Sequence, residues 1–597
     1  MKPTSAPSRS FALRGLDDRT RTVVAVLGFV WLVLAARLVH LQWVNHRPLA
    51  SQASEQRSFY QTRAAPPGEI LDRTGRVALA MTITARSVFV DPSRVDDPLE
   101  LAQKLGEALK LDAMPLAEKI AAHSDRQFVW IKRRITEQEE EAVRELGLSR
   151  VVCGLRNEYL RQYPMESLAA HIIGLRDIDG VGRGGVEQSL DAIIHGRPGR
   201  IRLVRDARYR IMEVHESVEQ PPIPGQTVQL TIDVVVQSFV ERELNRIVDK
   251  WAPKSATAIV MDPHNGDILA MSSRPTFDPN APGNVDPKAW KNHAIASVYE
   301  PGSTFKPFVV GWALDNKVIT TASRFDCENG RYRMGTRLLK DHGRHGVLNV
   351  TDILVKSSNI GMAKIGELLG NKELYRCVVH FGFGQPTGIE LPGEINGLVR
   401  DYDKWDRYST GSIPMGQEIA VTPLQLITAH AALANGGRLV CPRLVHEVTE
   451  TRRLAEQHDE ETQNKVLAIN ASIDASSSSI VSQTIDAEIA DWIISEPMAN
   501  VVTRGTGKSA RLKEYKIYGK TGTAQKLDPA TGKYSTKHHV CSFICGGPVP
   551  NPRALVLVLV DEPTKGTVHY GGTVAAPAAS EILKKTLMHL GVAQNGQ

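Results

Sequence analysis

Residues 22–44 are apolar apart from Arg37, His40 and Gln42, and this run constrains the chain more than any other: one helix in lipid, the remainder folded in water. Trp31 lies inside the run and Trp43 near its outer end, where amphipathic rings favour an interface. Its uncharged core, residues 22–36, has the length of a secretory h-region and ends in Ala35-Ala36, so a cleaved signal is the rival reading. The apolar character continues past Arg37 to Val44. A helix of all 23 residues would be about 35 Å long and can span once Arg37 snorkels. An uncleaved signal anchor is therefore expected. Lys2, Arg9, Arg14, Arg19 and Arg21 precede it against only Asp17 and Asp18, which favours an N-terminus on the cytoplasmic side and the bulk of the chain outside.

Those first 21 positions hold half of the formal net charge of +6. The rest is close to neutral, which argues against a nucleic-acid partner. Six cysteines (Cys153, Cys327, Cys377, Cys441, Cys541, Cys545) in 597 residues are too few for a disulfide scaffold, and none makes a C-x-x-C pair. Cys541 and Cys545 fall on one face of an expected strand and read as small apolar residues.

Three short groups carry the chemistry. Ser303 is the only serine with a lysine three positions on, Lys306, within Glu300-Pro301-Gly302-Ser303-Thr304-Phe305-Lys306-Pro307. Ser357-Ser358-Asn359 follows 54 residues later, and Lys520-Thr521-Gly522-Thr523 lies 163 residues beyond Ser357. A serine hydroxyl is a weak nucleophile and needs a base; with no histidine in the group, Lys306 is left for that task. Pro301-Gly302 reads as a turn into a helix, which puts Ser303 at a helix start and Lys306 on the same face. To act as a base Lys306 must be neutral, which burial beside another cation achieves. Ser357 is placed to relay a proton between Lys306, Lys520 and a leaving group, and Asn359 to offer its amide to a substrate backbone. Residues 515–518 are aromatic and β-branched, so the third group is expected on a strand, with Gly519 and Gly522 leaving backbone open to an extended peptide. Lys520 and the hydroxyls of Thr521 and Thr523 would attract a terminal carboxylate.

Beyond the anchor, residues 61–91 read as short strands with turns at Thr74-Gly75 and Asp91-Pro92, and residues 98–122 and 137–148 as helical. Glu187 and His171 read as structural. A Pro-rich step at 220–225 reads as a linker. After it come a strand at 228–231, a helix at 234–251, strands at 256–261, 515–524, 540–544 and 555–560, and a closing helix at 576–590. Residues 450–482 are polar and charged, and are expected as a mobile surface excursion. The expected division is a cytoplasmic tail (1–21), the anchor (22–44), a pedestal or dimerisation domain (45–219), the linker (220–225), a catalytic domain (226–592) and a tail (593–597).

S-x-x-K, S-x-N and K-T-G in that order resemble the signature of active-serine penicillin-binding proteins and serine β-lactamases. With the anchor, residues 68–75, Thr231-Ile232-Asp233, Gly416-Gln417 leading to Thr422-Pro423-Leu424-Gln425, and Tyr570-Gly571-Gly572, the chain resembles class B penicillin-binding proteins over nearly its full length. Ser-Ser-Asn is closer to the division-specific (FtsI-like) and sporulation (SpoVD-like) branch than to the elongation branch. Pro67 departs from the arginine usual there. The resemblance implies an α+β catalytic domain, an antiparallel sheet flanked by helices, raised on an elongated pedestal. It implies a peptidoglycan D,D-transpeptidase: Ser303 attacks the penultimate D-Ala carbonyl of a stem peptide, the backbone N–H groups of Ser303 and Thr523 form the oxyanion hole, and an amine of a neighbouring stem takes the acyl group. β-Lactams would acylate Ser303 too. No cofactor is implied; a SEDS-family (FtsW-like) glycan polymerase and other division-complex membrane proteins are implied as partners.

Asp341, His342 and His345, with Cys327 upstream, have metal-ligand types, but the spacing is loose and the expectation is a polar loop. Two other functional classes stay open: a hydrolase of the D,D-carboxypeptidase or β-lactamase kind, and a non-catalytic β-lactam sensor or scaffold.

Overall fold

The computed structural model describes residues 18–205, 211–213, 218–449, 480–527 and 533–595. The polar excursion expected at 450–482 falls, for residues 450–479, outside the described residues. The chain separates into two compact units, residues 1–64 with 198–222 and residues 65–197 with 223–597.

The first unit contains one helix long and apolar enough to cross a membrane, Asp18–Val39, continued by a single wide turn at His40–Val44. Its side chains are exposed almost throughout, Trp31 and Trp43 among them, as a lipid-facing helix requires. A second helix, His46–Arg57, leads to the strand Ser58–Arg63, which pairs antiparallel with Gly199–Arg205.

The second unit is built around a five-stranded antiparallel sheet, in the order Ile268–Arg274, Ser255–Met261, Ala554–Asp561, Tyr534–Gly547, Tyr518–Leu527. The central strand, Ala554–Asp561, reads as an unbroken apolar run up to Val560 because both faces are covered. Along Ala554–Asp561, Leu555, Leu557 and Leu559 enter one core while Val556, Val558 and Val560 enter the other. Each such side chain contributes about 1.5–3 kcal/mol. The helices Val234–Trp251 and Ala576–His589 cover the face that holds Cys541, Phe543 and Cys545. Both cysteines are buried and unpaired, as small apolar residues of one strand face. Pro423–Ala434 lies within the opposite core, its start fixed by a capping box between Thr422 and Gln425. Asp233 likewise caps Val234–Trp251 through the N–H groups of Val235 and Val236.

Residues 98–122 do not form one helix: Lys110 takes a left-handed conformation after Pro98–Leu109, and Asp112 caps a separate helix, Ala113–Ala121. Nor is the Pro-rich step free of the fold at its end, since Ile223 bridges to Arg197 and the Gly225 N–H donates to the Pro66 carbonyl. A second sheet joins Ile70–Leu71, Ala78–Val90, Val129–Ile135 and Cys153–Gln162 to Thr227–Leu230 and Val445–Thr449. These sequence-distant pairings have no local signature.

Glu187 is fully buried between two arginines, its oxygens 2.6 Å from Arg161 Nε and 2.6 Å from Arg176 Nε. Arg161 also donates to the Gly68 carbonyl at 2.6 Å, which ties the Gly68 turn to this cluster. Substituting Glu187 with alanine would leave the buried Arg161 guanidinium without a counter-charge and Arg176 with Asp191 alone, 2.8 Å from its Nη2. We expect a loss of about 3–5 kcal/mol, read as a lower thermal midpoint and early proteolysis of the purified protein. An unchanged midpoint would mean that water solvates the arginines.

Candidate active site

The Ser303 turn starts from Gly302, whose positive φ of 55° stops a helix from running in directly. Gly302–Thr304 forms one 3-10 turn and the α-helix proper begins at Lys306 with Pro307 behind it. Ser303 therefore lies one tight turn ahead of the helix, where residues three apart eclipse and Lys306 stays on the Ser303 face. The turn is held from two sides. The Gly302 N–H donates to the Gly416 carbonyl at 3.0 Å, and a side chain at Gly416 would meet Gly302 O at 2.2 Å. From below, His430 Nε2 lies 3.0 Å from the Thr304 carbonyl, and burial pushes its imidazole down to about 3, so it is the neutral ring that holds the turn.

Lys306 is fully buried. Its Nζ donates to the Ser357 carbonyl at 2.7 Å and to Asn359 Oδ1 at 2.8 Å, with Ser357 Oγ at 3.3 Å. Burial lowers it to about 7, against a smaller upward pull from Asp341. A neutral amine has two N–H groups, matched by the two short contacts; its lone pair is then free to accept a proton.

Ser357 ends the helix Val350–Lys356 in the left-handed region, at φ 58° and ψ 41°. That conformation is costly for a residue with a Cβ and marks a functional constraint. It brings Ser357 Oγ within 2.9 Å of Lys520 Nζ, so the hydroxyl stands between the two lysines. Lys520, also fully buried, is pushed well down by desolvation and then by the charge of Lys306.

Lys520, Thr521, Gly522 and Thr523 lie on Tyr518–Leu527, the outer strand of the five-stranded sheet, which starts three residues later than the sequence suggests. Tyr515 and Ile517 pack in the core ahead of it. Thr523 Oγ1 accepts from the Gly571 N–H at 3.1 Å, leaving its O–H free to donate outward. Thr521 Oγ1 is 2.7 Å from Thr506 Oγ1. Gly522 has no room for a side chain, since a Cβ would sit 2.3 Å from Ser542 Oγ.

Ser303, Ser357, Asn359, Thr506, Thr521 and Thr523 line one cleft of about 750 Å³, together with Lys508, Tyr570 and Thr573. The fold thus gathers Ser303, Ser357, Asn359, Thr521 and Thr523 around one space, with Lys306 and Lys520 behind Ser357 and Gly522 packed under the strand. Thr506 and Lys508 were not singled out from the sequence; the Gly-flanked run Arg504-Gly505-Thr506-Gly507-Lys508 was the available signal.

Asp341 serves a different purpose from the metal ligand considered above. Its Oδ1 accepts from the N–H groups of Asn359 and Ile360 at 2.6 and 3.0 Å, and its Oδ2 from Ser358 Oγ at 2.6 Å. Cys327 is buried beside Ser358, and His342 packs edge-on against Tyr570. Among the described residues no group of three or more His, Cys, Asp or Glu is placed to hold a metal. Asp341 thus clamps the second group from below. Asp341→Ala would release three donors, and we expect penicillin acylation to slow about 10- to 100-fold with the protein still folded. Stopped-flow acylation and circular dichroism would check both halves.

The chain resembles known proteins over most of its length. Residues 256–584 match the model of the penicillin binding protein transpeptidase domain, and residues 62–230 that of the penicillin-binding protein dimerisation domain. The chain is 33% identical to stage V sporulation protein D of Bacillus subtilis, over 94% of this chain and 84% of that one. It is 31% identical to a probable peptidoglycan D,D-transpeptidase FtsI of Caulobacter vibrioides, over 97% and 90%. A crystal structure of penicillin binding protein 3 from Mycobacterium tuberculosis, complexed with aztreonam, superposes with a TM-score of 0.66 at 25% identity, covering 90% of this chain and 98% of that one. With a matching catalytic domain that takes up more than half of its length and a dimerisation domain ahead of it, the chain belongs to the penicillin-binding protein transpeptidase family, in its class B form.

Proposed function

We propose that this chain is a membrane-anchored peptidoglycan D,D-transpeptidase working through a Ser303 acyl-enzyme. The observation that carries the reading is the buried Lys306, lowered to about 7, donating to Ser357 and Asn359 one turn from Ser303. Ser303 Oγ attacks the penultimate D-Ala carbonyl as its proton passes to Lys306 Nζ. The tetrahedral oxyanion is met by the backbone N–H groups of Ser303 and Thr523. The C–N bond breaks as the D-Ala nitrogen takes a proton relayed through Ser357 and Lys520, leaving the ester on Ser303. An amine of a second stem then attacks that ester, returns its extra proton by the same relay and frees Ser303. Thr521, Thr523 and Lys508 hold the terminal carboxylate, while Asn359 and the outer strand hold the peptide backbone. A β-lactam follows the first half of this path and stops as a stable ester.

The basic N-terminal segment supports a cytoplasmic N-terminus and a catalytic domain outside the inner membrane. The relatives named for sporulation and division support a septal role, and with it a SEDS-family polymerase as membrane partner. Purified full-length protein given a pentapeptide stem and an amine acceptor should release D-Ala and yield a cross-linked dimer. Release of D-Ala with tetrapeptide as sole product would favour the carboxypeptidase reading, and rapid turnover of penicillin the β-lactamase one.

A further inference from the structure

A second cavity, of about 1010 Å³, opens beside the catalytic cleft. Both are lined by Glu300, Ala524 and Gln525, so they meet at the end of the outer strand away from Lys520. Sheet residues Ser255, Val540 and Leu559 form part of its wall.

Its charged lining is mixed, and among the described residues Lys288 and Lys291 are the lysines in it that no acid pairs. Lys526 is neutralised by Asp561 and Glu562, and Lys254 lies 3.5 Å from Glu562. Lys288 and Lys291 also line the cavity; both are exposed, and among the described residues neither has an ion pair. Asp286, which shares this lining, turns its carboxylate to the Lys288 backbone N–H at 2.9 Å. The neighbouring imidazole of His293 is pushed down to about 4, by burial first and then by Lys291. At the junction Glu300 accepts from the Glu418 N–H and the Tyr534 hydroxyl, both at 3.0 Å, and burial raises its carboxyl.

The direction of the outer strand then matters. A donor peptide with its terminal carboxylate near Thr521 and its reacting carbonyl at Ser303 runs onward past Thr523 towards Gln525. At about 3.3 Å per residue, a residue three or four positions upstream lies roughly 10–13 Å further on, at the shared mouth. Resting on the transpeptidase reading above, we propose that this cavity receives the upstream part of the acyl-donor stem, an acidic peptide segment whose free carboxylates are met by Lys288 and Lys291.

The test uses the full-length protein in detergent and two D-Ala-D-Ala-terminated donor peptides, identical except that the upstream carboxylates are free in one and amidated in the other. At low ionic strength kcat/KM for D-Ala release should favour the free-carboxylate donor by roughly tenfold, carried in KM. The preference should fall to within about twofold in K288A/K291A, and should weaken in about 0.5 M salt, where exposed charges are screened. Equal kcat/KM for the two donors with the unmodified protein, or a preference unchanged in K288A/K291A, would overturn the inference. If either result comes with normal benzylpenicillin labelling of Ser303, the transpeptidase reading stands. If neither donor releases D-Ala and penicillin leaves Ser303 unlabelled, both fall.

Discussion

Replacing Ser303 with alanine is expected to abolish penicillin labelling and stem-peptide cross-linking, by a factor on the order of 10⁴ or more, without unfolding the protein. The change removes one oxygen from a half-buried side chain and leaves the turn bonds through Gly302, Thr304 and His430 in place. Stability should therefore stay within about 0.5 kcal/mol. Mass spectrometry of the intact protein after penicillin treatment, with peptide mapping of the adduct, reads the first half; thermal unfolding reads the second. An adduct that persists on another residue in Ser303→Ala would sink the acyl-enzyme reading, and full support of growth by that variant would favour a scaffold.

Lys306 as the proposed base should set the pH dependence of the same step. Burial lowers its ammonium from 10.5 to about 7, so the neutral, proton-accepting form grows as pH rises through about 7: roughly a tenth of the molecules at pH 6 and nine-tenths at pH 8. The acylation rate constant for benzylpenicillin should rise about tenfold per unit below that point and flatten above it. Lys306→Arg keeps the charge but cannot surrender its proton, and Lys306→Met leaves the Ser357 carbonyl and Asn359 Oδ1 without a donor. Both should lose on the order of 10³-fold in acylation and the inflection near 7. A variant that keeps the inflection would move the base elsewhere, with Lys520 the next candidate, since its pKa is also lowered and it donates to Ser357.

Much of this site was legible before any coordinates, because its chemistry needs particular residue types at short range. Ser303 and Lys306 are one turn apart, Ser357 and Asn359 two positions apart, and Lys520 to Thr523 contiguous, so each group carries its own local signature. Helix caps are equally local, although neither was read as one from the sequence: Asp233 and Thr422 begin helices where they stand. Asp341 shows the limit. The sequence placed it in a polar loop and gave it no partner, since Ser358, Asn359 and Ile360 lie 17–19 positions away on another element. Thr506, His430 and the basic cavity at Lys288 and Lys291 were passed over for the same reason, since each gains meaning only from a distant neighbour.

The sequence by itself singled out Ser303 as the candidate nucleophile, Lys306 as the candidate base, the strand of Lys520 to Thr523 and the apolar run at 22–44, since these follow from composition and spacing within a few residues. Only the tertiary structure decided that Lys306 and Lys520 are both buried against one hydroxyl, and that Ser357 is bent into a left-handed conformation to meet them. It also decided that the cleft meets a second cavity, lined in part by Lys288 and Lys291. The physical reason is desolvation and proximity: a lysine becomes a base only when the fold removes it from water, and burial arises from packing between segments hundreds of residues apart.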